Sequence, residues 1–160
     1  CSRSRRNCCH NYFRNGLISN TKNGRIAEYI AGASLEEQGF STSFCQQDGI
    51  DIFAFKDQHF YRVQVKGSLL RKNKGYLHHQ FQLGLGSKKR SPSINDFDLC
   101  VLVSLYERRC LYLPVEYLTG RTIRKTLKIF QNKNLEEETL KESLKIIHKR
   151  KDRKKIKWKV

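Results

Sequence analysis

The stretch IDIFAFKDQHFYRVQVKG, residues 50–67, decides the fold, because two apolar runs flank a short polar turn within it. Side chains alternate between apolar and polar along 60–65, and 50–55 is apolar except for its second residue. Both runs are typical of β-strands, and a similar run covers 40–45. We therefore predict three consecutive strands that form a β-meander.

A helix is predicted just before this meander. Over residues 23–38 the apolar side chains of Ile26, Ile30 and Ala33 recur at helical spacing, and Gly39 follows where a C-capping glycine would stand. A second, weaker apolar stripe indicates that the helix is covered on more than one side. That second stripe contains Ala31, Gly32, Leu35 and the acidic residue Glu28.

The second half of the chain adds strands and then helices. Alternation over 76–85 predicts a strand with one buried face, the apolar run 97–105 predicts a strand in the interior of a sheet, and 110–115 predicts another. From Thr122 onward, apolar residues at helical spacing predict a helical, basic end. Asp98 is either a solvated acid at a strand end or an accessory to a site, and we favour the solvated acid.

Length and composition favour one domain with a polyanionic partner. The 160 residues carry a formal net charge of +17, and a chain of this size suits a single core. We expect a basic, poorly ordered lead-in over 1–20, one domain over 21–160, and a basic C-terminal region from about 121. No apolar run is long enough to span a bilayer.

The cysteines and the N-terminal residues indicate where the protein works. The six cysteines form no Cys-x-x-Cys pair, and Cys100 and Cys110 sit within apolar segments, so we interpret them as small buried hydrophobes rather than zinc ligands. The basic first residues lack the apolar stretch of a secretory signal. We expect a reducing intracellular compartment, cytoplasmic or organellar, and no membrane association.

Four polar residues form the candidate site. Strand alternation places Gln64 and Lys66 on the face opposite Val63 and Val65. Asp51 interrupts an apolar strand, and a buried carboxylate needs a cation, a metal or the strand mouth. With Glu28 on the preceding helix, two carboxylates and a lysine suffice for phosphodiester hydrolysis assisted by Mg²⁺.

Glu28, Asp51 and the tripeptide Gln64-Val65-Lys66 resemble the PD-(D/E)XK nuclease pattern in its Gln-x-Lys variant. The resemblance covers about residues 23–118 and is greatest to homing endonucleases encoded in group I introns. It implies a restriction-endonuclease-like α/β core, in which a mixed central sheet is flanked by helices and followed by a basic helical extension. It also implies a site-specific, metal-dependent cut in double-stranded DNA by a dimer or tetramer.

The resemblance further implies roles for individual residues. Glu28, Asp51, Gln64 and Lys66 would be catalytic, and Asp51, Glu28 and the backbone carbonyl of Val65 would hold one or two Mg²⁺ ions. Two positions depart from the pattern. Ile50 stands where a proline would precede Asp51, and Gln64 replaces an acid, so its amide oxygen is a neutral ligand and the number of metals stays open.

Basic and polar segments around the predicted strand 76–85 are candidates for DNA contacts. The cationic members would bind phosphates, which position a protein without selecting sequence, and the polar strand face including Tyr76 would contact bases. His78 and His79 are adjacent strand residues that face opposite ways, so only His78 can meet substrate. The candidate residues are Arg71, Lys72, Lys74, His78, Gln80, Gln82, Lys88, Lys89, Arg90, Arg121, Arg124 and Lys125.

Other functions remain open on the sequence. A Holliday-junction resolvase or a restriction-type nuclease would share the same core. A non-catalytic basic nucleic-acid-binding protein, such as a ribosome-associated factor, would explain the charge alone. Such a binder has no use for Asp51 and Glu28 in apolar surroundings, because carboxylates repel its ligand.

Overall fold

The chain folds into helices and strands in an order close to the predicted one. The structure, a computed structural model, describes residues 20–47, 49–86 and 90–157, so most of the predicted lead-in over 1–20 lies outside it. The elements are α1 (Asn20–Glu37), β1 (Ser41–Gln47), β2 (Ile50–Lys56), β3 (His59–Ser68), β4 (Arg71–Asn73), β5 (Tyr76–Gln82), β6 (Leu99–Ser104), β7 (Arg109–Pro114), a 3₁₀ turn (Val115–Tyr117), β8 (Thr122–Thr126), α2 (Leu127–Phe130) and α3 (Leu135–Lys157).

The central sheet is mixed and has the strand order β1-β2-β3-β6-β7. Strands β1, β2 and β3 are antiparallel neighbours, which confirms the predicted meander. Strand β6 lies parallel to β3 and antiparallel to β7. All six residues of β6 are buried, as expected for a strand with a neighbour on each side and cover on both faces. A mixed sheet flanked by helices confirms the predicted fold class.

Helices α1 and α3 cover one face of this sheet. Alternate residues of β2 and β3, including Ile52, Val63 and Val65, point into the core beneath the helices. This burial confirms that Gln64 and Lys66 occupy the opposite face of β3. The predicted C-terminal helix corresponds to α3, which packs on β7. None of the helices within the described residues is long and apolar enough to cross a membrane.

The buried stripe of α1 differs from the main stripe predicted. Ala27, Ala31 and Leu35 are fully buried, whereas Ala33 is exposed. Ala27 in this stripe is small because α1 lies very close to β3 at that point. A Cβ atom added at Gly67 would stand 2.7 Å from the Cβ of Ala27, which is shorter than any ordinary contact.

A second, three-stranded sheet covers part of the other face of the central sheet. Its order is β4-β5-β8, and its inward side chain Phe81 packs with Phe130 of α2 and Leu102 of β6 in a separate apolar cluster. Two predictions are corrected here. The helix predicted from Thr122 begins as strand β8, and the basic stretch 71–75, whose composition predicts a loop, instead begins with strand β4. Both strands pair with β5, and that long-range pairing overrides the local pattern.

Asp98 also differs from its prediction as a solvated acid. Its side chain is buried at the start of β6, and it accepts hydrogen bonds from Arg62 and from Arg150 of α3. Burial acts to raise the pKa of Asp98, but the hydrogen bonds and charge of Arg62 outweigh it and hold this pKa below its usual range. The two arginines are distant in sequence, so local pattern does not reveal the pairing. The cluster ties α3 to the sheet.

The cysteines within the described residues are free. Cys100 and Cys110 are both buried, which confirms the interpretation of these thiols as small hydrophobic side chains. Burial raises the pKa of Cys100 to about 12, so its thiol stays protonated at neutral pH.

We predict that Gly67→Ala lowers the free energy of unfolding by about 1–3 kcal/mol, since the new methyl group overlaps Ala27 and must push α1 away from β3. Urea denaturation measures the change. Gly24→Ala in α1 is the control, because nothing lies within 4 Å of its added Cβ, and it should gain about 0.5–1 kcal/mol. Equal effects of the two substitutions would contradict the close approach.

Candidate active site

A cleft of about 470 Å³ brings the four predicted site residues together. Glu28 reaches it from α1, Asp51 from β2, and Gln64 and Lys66 from β3. The remaining wall comes from Thr21, Arg25, Cys45, Gly49 and the segment Gly84, Leu85 and Gly86 that follows β5. The cleft therefore lies where α1, the central sheet and the end of β5 meet.

Asp51 is held in place by the neighbouring strand. One carboxylate oxygen, Oδ2, accepts a hydrogen bond from the backbone N–H of Val65 at 2.6 Å. The same oxygen accepts a second hydrogen bond from the side-chain amide of Gln64. Both donors belong to β3, which pairs with β2, so the antiparallel pairing itself orients the carboxylate.

Gln64 has an acceptor without a partner. Its side chain is 4% exposed, and its Oε1 atom has no hydrogen bond to the described residues. An ionised carboxylate only accepts hydrogen bonds, so the amide nitrogen must face Asp51 and the amide oxygen must point elsewhere. Leaving a buried acceptor unsatisfied costs about 1–3 kcal/mol. A bound cation would satisfy this oxygen.

The carboxylates of the cleft are destabilised in their charged forms. Burial raises the pKa of Asp51, although the N–H of Val65, the charge of Lys66 and the amide of Gln64 act against it. Burial and the nearby charge of Asp51 raise the pKa of Glu28, while Arg25 acts against them. A cation between the two carboxylates would remove the repulsion and stabilise both charges.

The donor set of the cleft suits Mg²⁺. Two carboxylates and the free amide oxygen of Gln64 are hard oxygen ligands, and Mg²⁺ commonly takes one or two carboxylates and keeps several waters. Within the described residues no group of three or more His, Cys, Asp and Glu side chains is placed to hold a metal. The cleft therefore offers a partial oxygen shell rather than a closed cage of charged ligands.

The predicted DNA-contact residues collect on the second sheet. Arg71 and Lys72 lie on β4, His78, Gln80 and Gln82 on β5, and Arg124 and Lys125 on β8, with Lys74 and Arg121 just outside these strands. Lys88 and Lys89 lie outside the described residues. Arg90 is exposed and forms an ion pair with Asp96.

His78 and His79 face opposite ways, as predicted. His78 is half-buried on the outer side of β5, and His79 is fully buried with its Nε2 atom 3.0 Å from the hydroxyl of Ser104. Burial lowers the pKa of His79, so this ring stays neutral. It fills the core between the two sheets.

Sequence reasoning missed Arg25 and the segment 84–86. Arg25 stands three residues before Glu28, a spacing that places both on one side of α1, so helical periodicity contained that signal. The segment 84–86 carries no local signal, because it joins the cleft only through the packing of the second sheet.

We predict that Asp51→Asn stabilises the protein at neutral pH by on the order of 1 kcal/mol, while it removes the charge that a metal needs. An asparagine oxygen can accept the same two hydrogen bonds without a buried charge. Because the folded-state pKa of Asp51 is raised, the wild type loses stability as pH rises past the ordinary Asp pKa of about 3.9.

The thermal midpoint of Asp51→Asn should therefore equal that of the wild type in strong acid and exceed it at pH 7. The exposed Asp57→Asn, in the turn between β2 and β3, is the control for the loss of one charge. A neutral-pH midpoint for Asp51→Asn that is no higher than that of Asp57→Asn would contradict the buried-charge argument.

Comparison with known proteins supports the fold. No family model matches the sequence, and no curated protein matches it. Among solved structures, the chain is similar to a bacterial homing endonuclease, I-Ssp6803I, with a TM-score of 0.58 and 20% identity. The match covers 72% of this chain and 83% of that one. The protein therefore has the mixed α/β fold of that homing endonuclease.

Proposed function

We propose that the protein is a Mg²⁺-dependent endonuclease of the PD-(D/E)XK type that cuts double-stranded DNA at a specific site. The observation that carries this proposal is the cleft in which Glu28, Asp51, Gln64 and Lys66 converge. The fold shared with a homing endonuclease supports it, and so does the basic sheet beside the cleft.

Each residue of the cleft has a distinct part in this proposal. Asp51 and Glu28 hold the cation, and Gln64 contributes its free oxygen and keeps Asp51 oriented. The carbonyl of Val65 is a further ligand, as the family resemblance implies. When bound, Mg²⁺ neutralises charge on the scissile phosphate and lowers the pKa of a bound water. Lys66 positions the attacking water or stabilises the developing negative charge.

The neutral Gln64 limits how much positive charge the cleft attracts. The two negative charges of Asp51 and Glu28 balance the charge of a single Mg²⁺ ion. A third negative charge would require an acid at position 64. The donor set therefore favours one tightly held Mg²⁺ per cleft, with a second ion depending on charge from the DNA phosphate.

We predict that Lys66→Ala and Asp51→Ala each lower Mg²⁺-dependent cleavage by about 100-fold or more, because each removes a charge that acts on the reacting phosphate. The substrate is a pool of plasmids with random inserts, incubated with Mg²⁺ or Mn²⁺, and the ends of the products are sequenced. Binding of the same DNA in Ca²⁺ should be retained, since the basic sheet is unchanged.

Glu28→Gln should also abolish cutting, and Glu37→Gln is its matched control, because Glu37 is an exposed acid on the same helix outside the cleft. Cutting by any cleft variant at the wild-type rate would refute these assignments. Binding without metal-dependent cutting of any duplex would favour the non-catalytic binding protein. Preferential cutting of four-way junctions would favour a resolvase.

The proposal also includes a role in intron homing and assembly into two or four copies. The surface that supports assembly is an aromatic patch. Phe55 and Phe60 face each other across β2 and β3 and are each about half exposed, and Phe60 stacks on Phe53. This aromatic patch on an open sheet face supports a contact between copies.

We predict that Phe55→Ser lowers the molecular mass measured by sedimentation from that of an oligomer to that of the 18.8 kDa chain. The control is Tyr117→Ser, which alters an exposed aromatic residue of the 3₁₀ turn. An unchanged mass for Phe55→Ser would exclude this patch as the contact.

A further inference from the structure

The outer face of the second sheet carries side chains in an ordered array. Because Phe81 and Ile123 pair and point inward, their neighbours on β5 and β8 point outward. Gln80 is directly opposite Arg124, and the exposed Gln82 accepts a hydrogen bond from the hydroxyl of Thr122. At the other end of β5, His78 is opposite Thr126 and Arg71.

The segments that build this sheet contain no negative charge. The sequence has no Asp or Glu from His59 to Asn95, and none from Tyr117 to Leu135. Lysines and arginines surround the array at the edges of the sheet. The exposed basic residues there are Arg71, Lys72, Lys74, Arg121 and Lys128. The whole surface therefore has a charge opposite to that of a polyanion.

The array is also connected to the cleft, by a hydrogen bond and by the course of the chain. The backbone N–H of Gln80 donates a hydrogen bond to the hydroxyl of Ser68, which lies two residues beyond Lys66 on β3. Beyond the C-terminal end of β5, the chain continues to Gly84, Leu85 and Gly86, which line the cleft. DNA lying along the face would therefore meet the cleft at a set distance from the array.

Resting on the function proposed above, we propose that the outer face of β5 and β8 lies in the major groove of duplex DNA, where Gln80 and Arg124 read adjacent bases. The major groove admits a two-stranded β-ribbon. Arginine donates two hydrogen bonds to guanine and glutamine pairs with adenine, so these cross-strand partners have the chemistry for base recognition. The basic residues at the edges bind phosphates.

The test measures binding alone. Wild type and variants select duplexes from a randomised pool in Ca²⁺, and the affinities of the selected duplex and of single-base changes are then compared. Arg124→Lys keeps the charge but loses the planar fork, so discrimination at one base pair should fall by about 5-fold or more. Gln80→Ala should have the same effect at a neighbouring base pair. The salt dependence of binding should hardly change in either variant.

Lys74→Ala is the matched control, because Lys74 is exposed in the turn between β4 and β5 and lines the same surface groove as His78 and Arg124. It should weaken binding to all duplexes equally and make the negative slope of log K against log salt shallower by about 0.9. Thermal melting establishes that each variant is folded.

The proposal is overturned if the wild type selects no sequence, or if Arg124→Lys and Gln80→Ala both keep the full wild-type base preference. It is equally overturned if Lys74→Ala changes that preference as they do. Because no cutting is needed, the outcome is independent of catalysis. Sequence selection that is lost in Arg124→Lys and Gln80→Ala, without any Mg²⁺-dependent cleavage, would support the reading face and refute the nuclease. Cleavage with unchanged base preference in both variants would do the reverse.

Discussion

The carboxylate of Asp51, bonded to the backbone N–H of Val65 and the amide of Gln64, is the contact on which the candidate site depends. Because both donors belong to β3, the pairing of β2 with β3 fixes the orientation of the Asp51 carboxylate. No flexible loop is needed to position this acid. The same contact forces the oxygen of Gln64 away from Asp51 and leaves it unpaired. This unpaired oxygen lowers the stability of the folded protein, and a cation bound in the cleft would restore it.

Close packing brings the second acid to this contact. Glu28 follows Ala27, whose methyl group lies only 2.7 Å from the position that a Cβ atom at residue 67 would take. Because position 67 is glycine, α1 can approach β3 closely enough for Glu28 to share a cleft with Asp51. Their mutual repulsion then helps raise the pKa of Glu28. Small residues in the core are thus a condition for the electrostatics of the site.

Charge is distributed so that the basic surface of the second sheet and the acidic side chains of the cleft occupy neighbouring regions. The second sheet is built from segments without a single acid, whereas the cleft beside it contains Glu28 and Asp51. The buried acid Asp98 is neutralised within the protein by Arg62 and Arg150, neither of which belongs to the second sheet. Cations of the second sheet therefore remain available to a polyanion, and the two cleft carboxylates remain available to a metal.

The sequence alone determined the meander of β1 to β3, the helix before it and the interior strand β6, because their apolar periodicity is local and strong. It also placed Asp51, Gln64 and Lys66 on related strand faces. Only the tertiary structure decided that residues 122–126 form a strand, since pairing with β5 outweighs their helical spacing. Likewise, the burial of Asp98 and the entry of residues 84–86 into the cleft come from partners distant in sequence, which no local pattern records.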